Sequence, residues 1–441
     1  MTESSAVPEG ARRVANAHRV RQKRCAGMAA MLGFLVLAAN PLHAQSDEGG
    51  LTLAQARALA RRASPDVATA RAAIEAAAGR ETQAGAFPNP VLSYNREQTS
   101  RGNVTTAQDI AFVEQRIEIG GQASQRVASA RLRRQAAEAA LAAAEVSVDV
   151  EVARAFAAAL AGDRRAALAQ AAAGRFADAT RVMGERLAAG DVSGYAARRV
   201  RLEAARYAAL AAEAQLESSA ARLGLAVLVG VPADTTLAQV DRSADLAAIL
   251  EMPPDSIEAL VLRNHAGLQE ARLAADAGRA DAQLARRERV PTPIASAGFK
   301  RERAPGGNGS LSGFVAGLSL PLPIWDRRAG SIEAAEAQAS VLASQAEAIR
   351  QRVVRDARTA VESARQTEIR IAALEAQLGE EAEAALRAAD AAFDEGEITL
   401  VEWLDAVRAY HEAEAAYASV IAESIIQRAT LERLLGITLI R

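Results

Sequence analysis

Two periods alternate along this chain, and each is used twice. A helical pattern from about residue 51 to 84 ends at Phe87-Pro88-Asn89-Pro90, because proline disfavours a helical residue before it. Two short segments of period 2 follow, Val91 to Gln98 and Gln108 to Glu118, joined by a polar turn around Ser100-Arg101-Gly102-Asn103. A second helix from about 255 to 288 ends at Val290-Pro291-Thr292-Pro293, and Ile294 to Glu302 and Ser310 to Leu320 then alternate across Pro305-Gly306-Gly307-Asn308-Gly309. After each hairpin comes a long stretch with almost no proline, Gly121 to Leu187 and Ala329 to Phe393. Some 65 helical residues span about 100 Å, a length no single globular domain needs. Each long helix is expected to turn back at Gly190 or Gly396 and return to Gly230 or Gly436.

The recurrence keeps a constant offset. The Pro-Asn-Pro and Pro-Thr-Pro segments lie 203 residues apart (293 − 90), and the glycines at the expected reversals and ends lie 206 apart (396 − 190 and 436 − 230). One large unit is therefore used twice, as repeats of about 51–232 and 255–441.

Alternation also reports on surroundings. Phe314, Ala316, Leu318 and Leu320 fall on one face of the last strand, opposite Gly313, Gly317 and Ser319, and Leu92 and Tyr94 oppose Ser93 and Asn95. The strands have the length of tilted membrane strands, roughly 9 to 11 residues, although a soluble hairpin packed on helices shows the same period. Four strands cannot close a barrel, and open edges are not tolerated in lipid. Three copies would supply 3 × 4 = 12 strands, enough to enclose a lumen, with the long helices continuing as a tunnel.

Composition and charge narrow the class. Only 3% of the 441 residues are aromatic and 24% are charged, a mix that favours long helices over a globular enzyme core. The formal charge of −2, without basic blocks, carries no footprint for nucleic acid. Six basic residues between Arg12 and Arg24 precede an apolar run from Ala26 to Ala39, with a cleavage site expected after Ala44. The run is too short to span a bilayer comfortably. Residues 1–44 thus read as a signal peptide and 45–441 as the exported chain, at 46 basic and 52 acidic residues. Its loss removes Cys25, the one cysteine, which also precedes the apolar run instead of ending it, so neither disulfides nor a lipid anchor is expected.

Two segments at the strand-to-helix junctions resemble a known family. Val113-Glu114-Gln115-Arg116-Ile117-Glu118-Ile119-Gly120-Gly121-Gln122 and Leu318-Ser319-Leu320-Pro321-Leu322-Pro323-Ile324-Trp325-Asp326-Arg327-Arg328 are similar to paired junction motifs of TolC-type outer-membrane efflux proteins, nearest the cobalt-zinc-cadmium branch. The resemblance implies a mainly α fold with a transmembrane β-barrel, trimeric, in the cell outer membrane with a periplasmic helical extension. It implies a passive duct, for divalent heavy-metal cations in this branch, working with an inner-membrane pump of the resistance-nodulation-division type and a periplasmic adaptor. It further places adaptor-docking tips at Gly190, Asp191, Gly396 and Glu397, and a periplasmic gate at Glu402 and Asp405. Trp325, between the last strand and Arg327-Arg328, is expected either at the membrane interface with outer-membrane lipid or packed at the start of a helix.

Competing classes explain less. A periplasmic adaptor also combines export, helical hairpins and β-structure, but not this head-to-tail duplication. An enzyme reading finds no nucleophile elbow, phosphate loop or metal-ligand motif. His265, His411, Met183 and Met252 are scattered and form no ligand cluster, so no cofactor or resident metal is expected.

Overall fold

The computed structural model describes residues 50–240, 244–303, 309–378 and 380–439. The expected signal peptide, with Cys25, and the joint from Pro305 to Asn308 lie outside those residues.

The helix expected over 51–84 is two, α1 (Leu53–Ala63) and α2 (Pro65–Ala84). Ser64 is extended at ψ 124° because Pro65 follows it, and its hydroxyl accepts the Val67 N–H, so one residue ends α1 and caps α2. The helix expected over 255–288 breaks likewise into α6 (Pro254–Asn264) and α7 (Ala266–Arg287), with His265 between them. Its Nδ1 accepts the Leu268 N–H at 3.0 Å, a capping role that histidine composition does not announce. A short α5 (Ala244–Leu250), missed in the sequence, precedes α6.

The strands are β1 (Val91–Arg101), β2 (Val104–Arg116), β3 (Ile294–Arg303) and β4 (Ser310–Ser319). The first hairpin is tighter than expected: Arg101 pairs with Val104, leaving only Gly102-Asn103 as the connection. The sheet order is β1-β2-β3-β4, all antiparallel, so the two hairpins join at β2–β3.

The long helices are α3 (Gln122–Ala189, 68 residues) and α4 (Gly194–Val229) from the first half. In the second half α8 (Ala329–Leu378) and α9 (Glu380–Glu395), with Gly379 outside the described residues, take the place of the single helix expected over 329–393. They are followed by α10 (Leu400–Leu435). At 1.5 Å per residue α3 alone runs about 100 Å. It packs against α2 and α7 along the part near the sheet, and against α4 and α10 farther away.

Alanine permits this close packing, and larger apolar residues gather in three clusters. One joins α1, α3, α4 and α10 around Val152, Phe156 and Leu225. A second joins α5, α6, α8 and α10 around Val261, Ala357 and Leu435. Val148, Val152, Phe156 and Ala159 in the first recur as Val353, Ala357, Val361 and Ala364 in the second, a spacing of 205 (353 − 148). Between them Arg57 of α1 donates to Glu432 of α10 at 2.6 Å, both side chains 9% exposed, and the other Glu432 oxygen accepts the Leu439 N–H. A buried pair of this kind is costly to break from one side, so it pins the start of α1 and the C-terminal segment to one place in the bundle. The third cluster lies at the far end of the bundle.

Candidate functional site

At the far end the two long helical hairpins reverse through the same chemistry. Gly190 has φ 86° and Gly396 φ 81°, left-handed values that a side chain makes strained. The Gly190 N–H donates to the Leu187 carbonyl and the Asp191 N–H to Arg186; Gly396 N–H donates to Phe393 and Glu397 N–H to Ala392. Both are Schellman motifs, which satisfy the last carbonyls of a helix. Three residues on, Ser193 and Thr399 cap the returning helices. The reversals expected at Gly190 and Gly396 are therefore formed, with Asp191 and Glu397 exposed on them.

Glu402 and Asp405 lie on the first turns of α10, both exposed, one helical turn apart on one face. Glu402 completes a capping box: one carboxylate oxygen accepts the Thr399 N–H and the Thr399 hydroxyl, each at 2.7 Å, while the Thr399 hydroxyl accepts the Glu402 N–H. Those hydrogen bonds hold its carboxyl below the usual glutamate value. Within one chain, then, the carboxyl is biased toward the charged form.

Behind this surface sits an aromatic cluster in a chain poor in aromatics. Trp403 stacks on Phe393 at 4.8 Å and meets Phe176 edge-on at 5.1 Å; Phe176 stacks on Tyr207 at 4.4 Å. The Trp403 indole N–H donates to Asp390 at 2.9 Å, and Arg175 donates to the other Asp390 oxygen at 3.1 Å. Arg186 of α3 crosses to the second reversal and donates to the carbonyls of Phe393 and Asp394. His411 packs edge-on against Tyr207, and burial holds its pKa below the ordinary value. Met183 is buried in the same cluster, and Met252 packs on the second. No group of three or more metal-ligating His, Cys, Asp or Glu side chains occurs among the described residues.

At the sheet, register sorts side chains into two faces. Leu92, Tyr94, Val113, Phe299, Phe314 and Leu318 share one face and are 46% to 76% exposed. Along β3, exposed Ala297, Phe299, Arg301 and Arg303 alternate with partly buried Gly298, Lys300 and Glu302. The opposite face carries the Lys300–Glu302 ion pair at 3.1 Å, with Ser93 and Asn95 beside Phe112 and Ile110. Among the described residues β1 and β4 each have one strand neighbour.

The junction motifs fasten sheet to helices. The Gly120 N–H donates to Gln122 Oε1, and Gln122 Nε2 donates to the carbonyls of Arg287 and Val290. A Cβ on Gly120 would fall 2.6 Å from that of Val290, so glycine is needed for the close approach. Arg126 grips Glu118 with two bonds of 2.6 and 3.0 Å. In the second motif Asp326 accepts the Arg328 N–H, and the Arg328 guanidinium pairs with Glu288. Trp325 stands 92% exposed beside Ile324 and Leu322, and Phe87 is 90% exposed at the other entry to the sheet.

Residues 259–437 match the family model described as outer membrane efflux protein. Over 401 residues, 90% of this chain and 92% of the relative, the sequence is 27% identical to the cobalt-zinc-cadmium resistance protein CzcC of Cupriavidus metallidurans. The second half of the chain is thus similar to outer membrane efflux proteins, and nearly the whole chain is similar to one heavy-metal resistance protein. Solved structures agree on the fold: the outer-membrane channel OprN superposes with a TM-score of 0.71 at 19% identity, covering 87% of this chain and 89% of that one. CusC gives 0.71 at 17% identity, covering 88% and 92%. The efflux-protein fold, a helical tunnel with a β-sheet at one end, is the one expected from the junction motifs, and a single chain leaves its barrel open. These relatives are channel and efflux proteins, and the adaptor reading finds no support among them.

The reversals, the strands and the junctions of this chain were legible in the sequence. Sequence reasoning missed Arg175, Arg186, Asp390 and the ring cluster that lock the two hairpins together. The one signal available was scarcity: of 15 aromatic residues in the chain, Phe176, Tyr207, Phe393, Trp403 and Tyr410 all gather near the reversals.

Proposed function

We propose that the chain is one protomer of a trimeric outer-membrane duct that exports divalent heavy-metal cations, passively, together with an inner-membrane pump and a periplasmic adaptor. The observation that carries this reading is a four-stranded sheet with an exposed apolar face and, among the described residues, two unpaired edges, set at one end of helices about 100 Å long. Three sheets would satisfy each other's edges and enclose the face of Lys300 and Glu302. Residues 1–44 would be removed on export, leaving a chain without cysteine and without a lipid anchor, built from repeats of about 51–232 and 255–441. The metal substrate is supported by the likeness to a cobalt-zinc-cadmium resistance protein.

Within that duct we assign Gly190, Asp191, Gly396 and Glu397 to the adaptor-docking tips. Glu402 and Asp405 are assigned to a ring of carboxylates at the periplasmic entrance, where they would attract cations and resist anions. Trp325 is assigned to the interfacial belt on the periplasmic side of the membrane, a role its near-complete exposure beside other apolar residues supports.

Growth of a strain lacking this chain, challenged with cobalt, zinc, cadmium and a panel of drugs, tests the substrate. Sensitivity confined to the metals and reversed by the wild-type chain is expected. Sensitivity to drugs alone would overturn the metal reading and leave the duct standing.

A further inference from the structure

The exposed apolar face of the sheet changes character abruptly toward the hairpin loops. Register puts Leu92, Val113, Ala297 and Ala316 in one row and Tyr94, Ala111, Phe299 and Phe314 in the next. The following row, about 7 Å farther out, is Arg96, Asp109, Arg301 and Ser312, and the one beyond holds Gln98, Ala107, Arg303 and Ser310. An apolar band capped by aromatic rings thus gives way, within two residues on each strand, to three guanidinium groups set against one carboxylate.

Asp109 offsets only part of this charge. It accepts the Tyr94 hydroxyl at 2.7 Å and lies 3.5 Å from Arg96, whose side chain stays 48% exposed. Arg301 donates to the Ser310 hydroxyl, a neutral partner, and both Arg301 and Arg303 are exposed on the face of Phe299 and Phe314. Charges that belonged to the lumen would sit on the opposite face, as Lys300 and Glu302 do. These three arginines instead crown the surface that meets lipid.

We propose that this row is a docking site for the phosphate groups of a lipid headgroup in the outer leaflet, one site per protomer, with the acyl chains lying along Tyr94, Phe299 and Phe314. Planar guanidinium forks match phosphate oxygens, the rings below match hydrocarbon, and Gln98, Ser310 and Ser312 offer hydrogen bonds to headgroup hydroxyls. The site rests on the reading of this sheet as one third of a membrane barrel.

Trimers of the mature chain in phosphatidylcholine nanodiscs test the proposal, with native mass spectrometry counting bound lipid. The probes are bisphosphorylated lipid A, its dephosphorylated form and phosphatidylglycerol, with inorganic phosphate as competitor. The wild type should retain bisphosphorylated lipid A over the dephosphorylated form by about a hundredfold, roughly fivefold for each arginine. An Arg96→Gln, Arg301→Gln, Arg303→Gln triple variant should form trimers and lose that preference, and the triple lysine variant should keep part of it. Retention of phosphatidylglycerol in between would support one phosphate as the minimal determinant. Equal retention of phosphorylated and dephosphorylated lipid, or full displacement by inorganic phosphate, would overturn the site while the inserted trimers left the channel reading intact. Failure of the wild type to enter the bilayer as a trimer would overturn both.

Discussion

The Glu402 carboxylate accepts two hydrogen bonds from Thr399, and the same group is assigned to the entrance ring. The two roles separate cleanly by substitution. Glutamine preserves a capping box but carries no charge, so Glu402→Gln with Asp405→Asn removes the ring's charge and keeps the start of α10. In a planar bilayer that double variant should lose cation preference and divalent-cation block; unchanged selectivity would take both residues out of the entrance. Trp403 makes a different prediction. It is 2% exposed, contacts two rings and donates to Asp390, so Trp403→Ala should lower stability by about 3–5 kcal/mol in denaturant unfolding. A loss near zero would mean that the ring cluster does not lock the hairpins.

Between elements, the caps matter most. His265 joins α6 to α7 by accepting the Leu268 N–H, which requires an unprotonated Nδ1. Burial, and then the charge of Arg433, hold its pKa below the ordinary histidine value. The unfolded chain therefore binds the proton more readily, so this contribution is present above the ordinary value and is lost as pH falls through the folded one. Amide exchange at Leu268 should accelerate as pH drops from 7 toward about 5, relative to intrinsic rates, and His265→Asn, an uncharged cap, should abolish the acceleration. Equal pH dependence in both proteins would remove His265 from the cap. At the reversals, a Cβ on Gly190 or Gly396 would meet no atom within 4 Å, so alanine there acts through backbone strain alone, about 1–2 kcal/mol. Gly396→Val should stop export while Gly396→Asn, tolerant of the left-handed region, retains it; export by both would detach the reversal from function.

Legibility at this scale followed locality. Gly190, Gly396 and the prolines before each hairpin act through their own φ and could be read directly. The break at Ser64 was equally local, since Pro65 follows it, and was passed over; the break at His265 has no such mark, because it depends on whether a side chain caps the next turn instead of continuing the last. Arg57–Glu432 and Arg186–Asp394 join residues whose numbers differ by 375 and 208, and nothing local marks them.

In the whole molecule, the sheet explains why one chain is incomplete. One face exposes Leu92, Tyr94, Phe299, Phe314 and Leu318, and among the described residues β1 and β4 each leave one edge open. The duplication supplies two hairpins per chain, and their β2–β3 pairing shows how hairpins join; the same antiparallel geometry would carry β4 of one protomer to β1 of the next. Cys25 is the one cysteine in the sequence, so residues 45–441 carry no thiol of their own and accept introduced ones without background. The most direct test is therefore a panel of double variants with one cysteine on β1, from Leu92 to Gln98, and one on β4, from Leu311 to Leu318, oxidised in intact cells and resolved without reductant. The account predicts a ladder of linked dimers and trimers, ending at three, in the outer-membrane fraction. Monomers alone throughout the panel, or linked species in the soluble fraction, would contradict it.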